Sequence, residues 1–169
     1  MKLYWYPVTL IATLILLAGC RKEVSVELPQ THVDKANEFK KAVDQRKFRL
    51  TAFYSDVPID YVEDDAEVKR ETNLWGYVSG YLKDDIMLFR NDTDVDVDQN
   101  LIKMPGEATQ ILQRKYIIRA DADGAYMKFL DYQYNPLEYH LHEITNDYFI
   151  LYLPWKPGIN LYSRFNLLP

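Results

Sequence analysis

Short runs of alternating apolar and polar residues, separated by turn-forming dipeptides, dominate the chain after Lys47. The first run, Lys47–Tyr54, predicts a strand with Phe48, Leu50, Ala52 and Tyr54 on one face. Seven further runs predict strands at Asp85–Phe89, Thr93–Val97, Gln113–Arg119, Ala125–Tyr132, Leu137–Ile144, Tyr148–Leu153 and Ile159–Phe165. Turn chemistry stands between them at Asn91-Asp92, Asp123-Gly124, Asn135-Pro136, Asn146-Asp147 and Pro157-Gly158. Eight short strands joined mostly by tight turns predict an all-β, antiparallel up-and-down barrel, with a Greek-key sandwich as the alternative.

Two short helices are predicted beside the strands. Thr31 to about Arg46 forms an amphipathic helix, with Thr31 as N-cap and Asp34 completing an approximate capping box. Its apolar stripe is suited to covering a core and consists of Val33, Ala36, Phe39 and Val43. Glu71–Lys83 is predicted as a second helix, although Gly76 and Gly80 weaken it by roughly 1 kcal/mol each. Its stripe comprises Leu74, Tyr77, Val78, Tyr81 and Leu82.

Composition limits the classes of function. The chain has 169 residues, enough for one domain with a tail, and its net charge of −5 argues against a nucleic-acid binder. Its one cysteine excludes an intramolecular disulfide and a cysteine-based zinc site. Its 14 tyrosines favour sheet over helix.

The N-terminus has the pattern of a targeting segment. Lys2 precedes an apolar run that ends in Leu17-Ala18-Gly19-Cys20, which resembles a bacterial lipobox. The resemblance implies cleavage before Cys20 and acylation of its sulfur, which would anchor the chain to a bilayer. We therefore expect a signal peptide at 1–19, a lipidated cysteine and tether at 20–30, and a barrel domain at 31–169. The expected location is the cell envelope, as an outer-membrane lipoprotein on its periplasmic or surface face, with an uncleaved transmembrane anchor as the alternative.

Several short motifs resemble the lipocalin-like domain of small Bacteroidetes lipoproteins. These motifs are Arg49-Leu50-Thr51-Ala52, Pro58-Ile59-Asp60, Thr72-Asn73-Leu74, Lys83-Asp84-Asp85, Phe89 and Asn91-Asp92-Thr93. The resemblance implies an eight-stranded antiparallel barrel behind a lipidated tether, and it supplies no catalytic residue. The chain departs from the family pattern at Arg46-Lys47-Phe48, where members often have Gly-x-Trp, and at Leu82, where many have a cysteine.

Aromatic residues are the main candidates for ligand binding. Trp75, Tyr77 and Tyr81 fall in the second predicted helix, where a barrel would place a lid over one mouth. Tyrosine combines an apolar ring with a polar tip, which suits a cavity lining or a sugar-binding face. Packing within the barrel is the competing interpretation of the tyrosines on the strands, which are Tyr116, Tyr126, Tyr132, Tyr139, Tyr148, Tyr152 and Tyr162.

Other polar clusters favour structural roles. The acidic segment Ser55–Arg70 lacks the glycine of a calcium loop, so we expect a solvated connection. Asp92, Asp94, Asp96 and Asp98 should share one solvent-facing side of a strand whose valines point inward. His140 and His142 share a face, but with only His32 as a third imidazole we predict no metal site.

Recognised enzyme motifs are missing from the sequence. In Gly76-Tyr77-Val78-Ser79-Gly80 the serine stands one place too late for a nucleophile elbow. The sequence therefore predicts a non-enzymatic, membrane-anchored barrel without cofactors that binds a small apolar or amphipathic molecule. The alternative is a filled barrel that serves as a structural or protein-interaction module of the envelope.

Overall fold

An antiparallel barrel forms the body of the protein. The computed structural model describes residues 27–61, 69–130 and 137–169. Within these residues nine strands form one sheet, and eight of them close into a barrel because β1 pairs with both β3 and β9. The strands are β1 Lys47–Tyr61, β2 Lys69–Asn73, β3 Ile86–Phe89, β4 Asp94–Asp98, β5 Ile111–Ala120, β6 Ala125–Phe129, β7 Glu138–Ile144, β8 Tyr148–Lys156 and β9 Ile159–Leu167. This confirms the predicted up-and-down barrel over the sandwich.

Sequential pairing of the strands gives the barrel two distinct ends. The turns 90–93, 121–124 and 145–147 lie at one end, which we call the closed end. The connections 74–85, 99–110 and 157–158 lie at the other, which we call the mouth. The predicted signal peptide, Cys20 and Asn135-Pro136 lie outside the described residues.

The first helix, α1 (Gln30–Val43), covers the closed end. It confirms the predicted amphipathic helix, and Ala36, Phe39 and Val43 are its buried residues. The predicted capping box is wrong: Pro29 is the N-cap, and Asp34 accepts a hydrogen bond from Gln30 instead. No side chain of the described residues caps the helix, and the carbonyl oxygen of Pro29 accepts hydrogen bonds from the N–H groups of His32 and Val33 over 2.9 and 3.3 Å.

Aromatic rings fill the closed-end half of the barrel. Phe39 of α1 meets Phe149 edge to face at 5.0 Å between ring centroids, and Phe89 at 6.1 Å. Phe48 completes the cluster, with its ring 4.9 Å from that of Phe149. Tyr116 is 1% exposed and donates its hydroxyl hydrogen to the carbonyl oxygen of Asn91 over 2.6 Å. Edge-to-face pairs of this kind stabilise a core beyond the burial of apolar area.

A β-bulge at Thr51 reverses the faces of β1. Leu50 pairs with Phe165 and Ala52 pairs with Arg164, so Thr51 is an extra residue. After the bulge Phe53 faces the interior opposite Ser163, while Tyr54 faces outward and stacks on Tyr162. The predicted single face of Phe48, Leu50, Ala52 and Tyr54 is therefore wrong beyond Leu50.

Two predicted connections also differ from the structure. β1 continues to Tyr61 and β2 begins at Lys69, so the ends of the predicted acidic connection are strand. The predicted helix Glu71–Lys83 is wrong: this segment holds the end of β2, a 3₁₀ turn at Trp75–Tyr77, and α2 (Gly80–Asp84). Asn73 accepts a hydrogen bond from the backbone N–H of Trp75 over 3.0 Å, which favours a turn where a helix was expected.

The acidic strand β4 is less exposed than its sequence suggested. Val95 is fully buried, as predicted. Asp96, however, is 6% exposed and pairs with the guanidinium of Arg90. Asp94 forms an ion pair with Lys115 on the neighbouring strand. Nearby cations, and not solvent alone, therefore compensate Asp94 and Asp96 of this row.

Candidate ligand-binding cavity

The mouth half of the barrel encloses a cavity of about 390 Å³. This volume falls within the range of small-molecule pockets. Seven of the barrel strands line it, together with the segment 77–85 and the connection that carries Met104. The lining residues are Leu50, Phe53, Tyr77, Val78, Ser79, Leu82, Asp85, Met87, Val97, Met104, Leu112, Arg114, Phe129, Tyr139, Ser163 and Phe165.

The segment between β2 and β3 lies across the mouth. We call residues 74–85 of this segment the lid; Tyr77, Val78, Ser79 and Leu82 reach the lining from it. Leu74 is 3% exposed and anchors the start of the segment.

Of the three aromatic residues predicted to bind ligand, Tyr77 lines the cavity. Trp75 and Tyr81 belong to the same segment but lie outside the lining. The ring of Trp75 faces the Lys83 ammonium, which lies 5.0 Å from its centroid. The structure therefore brings Tyr77, but neither Trp75 nor Tyr81, into the lining of the cavity.

Hydrogen bonds hold the connection 99–110 against the lid. The carboxylate of Asp84 accepts from the backbone N–H groups of Leu101 and Ile102 over 2.7 and 2.9 Å. Gln99, which is 1% exposed, accepts from the N–H of Met104 over 2.7 Å and so fixes the side of the cavity that Met104 lines. Hydrogen bonds therefore join the connections 74–85 and 99–110 at the mouth, so these two segments are not independent loops.

Apart from two tyrosines, four polar side chains enter an otherwise apolar lining, and sequence reasoning missed them as ligand-binding residues: Ser79, Asp85, Arg114 and Ser163. Arg114 lies on the same face of β5 as Leu112 and Tyr116, and it is paired opposite Val95. Asp85 precedes β3 on the same side as Met87, and Ser163 faces inward from β9. Alternation of apolar and polar residues could have predicted that Arg114 and Asp85 face inward, because both fall on the apolar face of their strands.

Asp85 has an unusual environment for a carboxyl group. Its Oδ1 atom is buried and has no hydrogen-bond partner within the described residues. Burial, followed by the neighbouring carboxylates of Asp84 and Asp98, raises the pKa of Asp85 to about 6. Near neutral pH this group can exchange a proton or accept a hydrogen bond from a ligand.

We expect Asp85 to make the protein less stable as the pH rises from about 4 to about 7. Its pKa is near 3.9 in the unfolded chain, so in this window the folded state binds more protons. Half-burial and solvent screening reduce the effect to about 1–2 kcal/mol. Asp85→Asn should therefore be more stable than wild type in urea at pH 7 and equal to it at pH 4. Asp147→Asn in an exposed turn is the control, and an unchanged pH slope in Asp85→Asn would contradict the raised pKa.

A row of aromatic rings crosses the outer surface of the barrel. Cross-strand pairing aligns Tyr126, His140, Tyr152, Tyr162 and Tyr54 on five adjacent strands. His140 stacks on Tyr152 with centroids 4.4 Å apart, and Tyr54 stacks on Tyr162 at 5.2 Å. The other two neighbouring pairs of the row, Tyr126–His140 and Tyr152–Tyr162, are tilted, with centroids 4.4 and 5.6 Å apart. These contacts are cross-strand packing, the competing interpretation of the strand tyrosines.

The two histidines predicted to share a face both contact this outer row. The ring of His142 lies 5.1 Å from that of Tyr162, and burial lowers the pKa of His140. His32 lies elsewhere, donating from Nδ1 to the carbonyl oxygen of Asp121 over 2.9 Å. Within residues 27–61, 69–130 and 137–169, no group of three or more histidine, cysteine, aspartate or glutamate residues is placed to hold a metal ion.

The helices offer no obvious membrane span in the part of the chain that the structure describes, because none is both long and apolar enough. Comparison of the chain with protein-family models, with curated proteins and with solved structures gives no match. The lipocalin-like arrangement accordingly rests on the barrel itself: eight antiparallel strands closed in sequential order, with a cavity in the half away from α1.

Proposed function

We propose that the protein is a membrane-anchored, non-enzymatic carrier that holds a small apolar or amphipathic molecule in its barrel. The cavity of about 390 Å³ carries this proposal. A barrel of eight strands has room for one small ligand when its side chains do not fill it, and here the phenylalanine cluster fills only the closed-end half. The cavity thus favours a carrier over an interaction module with a filled core.

The lining indicates what such a ligand would look like. Leu50, Met87, Val97 and Leu112 offer apolar surface for a hydrocarbon or ring system. Arg114 adds a fixed positive charge, and Asp85 and Ser163 add hydrogen-bonding groups. An amphipathic molecule with one polar end suits this arrangement better than a pure hydrocarbon, because the buried Oδ1 atom of Asp85 has no hydrogen-bond partner among the described residues and would gain from a polar one.

Tyr77→Ala should weaken ligand binding about ten- to a hundredfold. Tyr77 contributes a large ring to the lining, and losing it removes on the order of 1–3 kcal/mol of apolar contact. Titration with medium- and long-chain fatty acids and alcohols, followed by the fluorescence of Trp75, measures the affinity.

Tyr81→Ala is the matched control, because Tyr81 belongs to the same lid but lies outside the lining. Its affinity should stay within about threefold of wild type. If no probe changes the fluorescence and native mass spectrometry finds no co-purified small molecule, the carrier proposal fails.

Anchoring is the second part of the proposal, and the lipobox-like Leu17-Ala18-Gly19-Cys20 supports it. Two or more acyl chains hold a protein on a bilayer almost permanently, at about 0.8 kcal/mol per buried CH₂. Cys20→Ala should therefore release the protein from membranes or leave an uncleaved precursor in fractionated cells. Normal retention together with normal cleavage would refute acylation at Cys20.

A further inference from the structure

Large exposed apolar side chains concentrate at the mouth of the barrel. Among the described residues, nine large hydrophobic side chains are exposed, and eight of them belong to the mouth end. These eight, which we call the apolar rim, are Val57, Leu82, Leu101, Ile102, Ile111, Leu130, Leu137 and Trp155. The ninth, Leu28, immediately precedes α1 and is 42% exposed. Leu101 is the most exposed, at 86%.

The rim is continuous with the cavity. Leu82 is 41% exposed at the rim and also lines the cavity, so apolar surface runs from the interior to the outside. Ile102 lies beside the lid, and its Cδ1 atom is 3.6 Å from the point that a Cβ atom would occupy at Gly80. A ligand leaving the cavity would pass over this surface.

A lysine follows the apolar residues in each of three separate mouth segments. These are Leu82-Lys83 in the lid, Leu101-Ile102-Lys103 in the connection after β4, and Trp155-Lys156 at the β8–β9 hairpin. The Lys156 ammonium lies 4.1 Å from the ring centroid of Trp155. Tryptophan and lysine at the edge of an apolar surface are typical of the lipid headgroup region, where the ring lies among headgroups and the amine reaches phosphate.

Three lysines at the mouth offer positive charge to a phospholipid surface. Carboxylates also lie at this end and keep their negative charge: Asp56, Asp84 and Asp98 accept hydrogen bonds from neutral groups of the protein, and Asp60 forms an exposed ion pair with Arg70. Trp155 beside Lys156, at the edge of an apolar rim, favours a lipid surface over a second copy of the chain as the occupant. Lipid phosphates are complementary to these lysines.

We infer that the mouth of the barrel docks onto a phospholipid bilayer, with the apolar rim inserted and Lys83, Lys103 and Lys156 at the level of the phosphates. Docking in this orientation joins the cavity to the hydrocarbon phase without an aqueous gap. The inference goes beyond the proposed function, because it requires contact between mouth and bilayer and neither a bound ligand nor an acylated Cys20.

Lipid quenching of Trp155 tests the inference in the full chain. With Trp5→Phe and Trp75→Phe, Trp155 is the only tryptophan. The protein is placed in phosphatidylethanolamine–phosphatidylglycerol vesicles, with acyl-brominated lipid either in those vesicles or only in vesicles added later. We expect at least a twofold loss of Trp155 emission with one of these two placements of the brominated lipid. The placement that quenches shows whether the mouth contacts the bilayer that carries the protein or a second bilayer.

Matched variants assign the quenching to the rim. Leu101→Asp combined with Ile102→Asp should restore emission, whereas Leu28→Asp, at the exposed apolar residue away from the mouth, should leave the quenching unchanged. Lys83→Gln, Lys103→Gln and Lys156→Gln together should reduce quenching several-fold and remove its salt dependence. Unquenched emission in both arms, or equal quenching in the Leu101/Ile102 variant, would overturn the inference. Probe titrations of the same variants report on the cavity separately.

Discussion

Phe39→Ala should lower the free energy of unfolding by about 3–5 kcal/mol, the range for removing a fully buried phenylalanine ring. Phe39 has no exposed surface, and it is the residue through which α1 reaches the rings of Phe89 and Phe149. Its removal leaves a cavity at the closed end, where α1 lies against the barrel. Urea unfolding followed by far-ultraviolet circular dichroism measures the change in free energy.

Glu38→Ala provides the control on the same helix. Glu38 is exposed, so its replacement should change stability by no more than about 0.5 kcal/mol. A loss below 1 kcal/mol in Phe39→Ala would mean that α1 contributes little to closing the barrel. A loss near 4 kcal/mol is a large part of the 5–15 kcal/mol that stabilises most domains.

Local sequence patterns were sufficient to predict the barrel. Alternation is a property of each strand by itself, and the turns at Asn91-Asp92, Asp123-Gly124 and Pro157-Gly158 join neighbouring strands as their chemistry requires. The helix α1 could also be predicted from its apolar stripe, because a surface helix buries one face.

Features that depend on partners distant in sequence were not predictable in this way. The bulge at Thr51 is set by pairing with Arg164 and Phe165, and it moves Tyr54 from the expected inner face to the outer aromatic row. Asp96 is buried because Arg90 reaches it across the turn between β3 and β4. The lid was predicted as a helix because Tyr77, Val78 and Leu82, which line the cavity, also fit the spacing of a helical stripe.

The cavity itself could be suspected from the sequence but not located. Alternation shows which side chains point inward, and it does not show whether they fill the space. The closed-end half is filled because four phenylalanines meet there, whereas Ser163, Arg114 and Asp85 occupy inward positions in the mouth half. Ser163 is the small residue among them, and replacing it with a large one tests whether its size leaves the cavity open.

Ser163→Phe should abolish binding of apolar probes, with affinity reduced at least about a hundredfold, equivalent to roughly 2.7 kcal/mol. Ser163 faces the interior between Phe53 of β1 and Leu151 of β8, and it lines the cavity. A phenylalanine ring there would occupy space that a ligand needs. Because the ring would enter an existing cavity with apolar walls, we expect the variant to remain folded.

Two further variants separate occupation of the cavity from other effects. Thr51→Phe adds the same ring at an exposed position of β1 and should leave the affinity unchanged. Ser163→Ala keeps the cavity open and should bind within a few-fold of wild type, so the hydroxyl is distinguished from the space beside it. If Ser163→Phe retained its circular dichroism spectrum and bound probes as tightly as wild type, the ligand site would have to lie outside the barrel, since a filled cavity cannot bind a ligand that it no longer has room to hold.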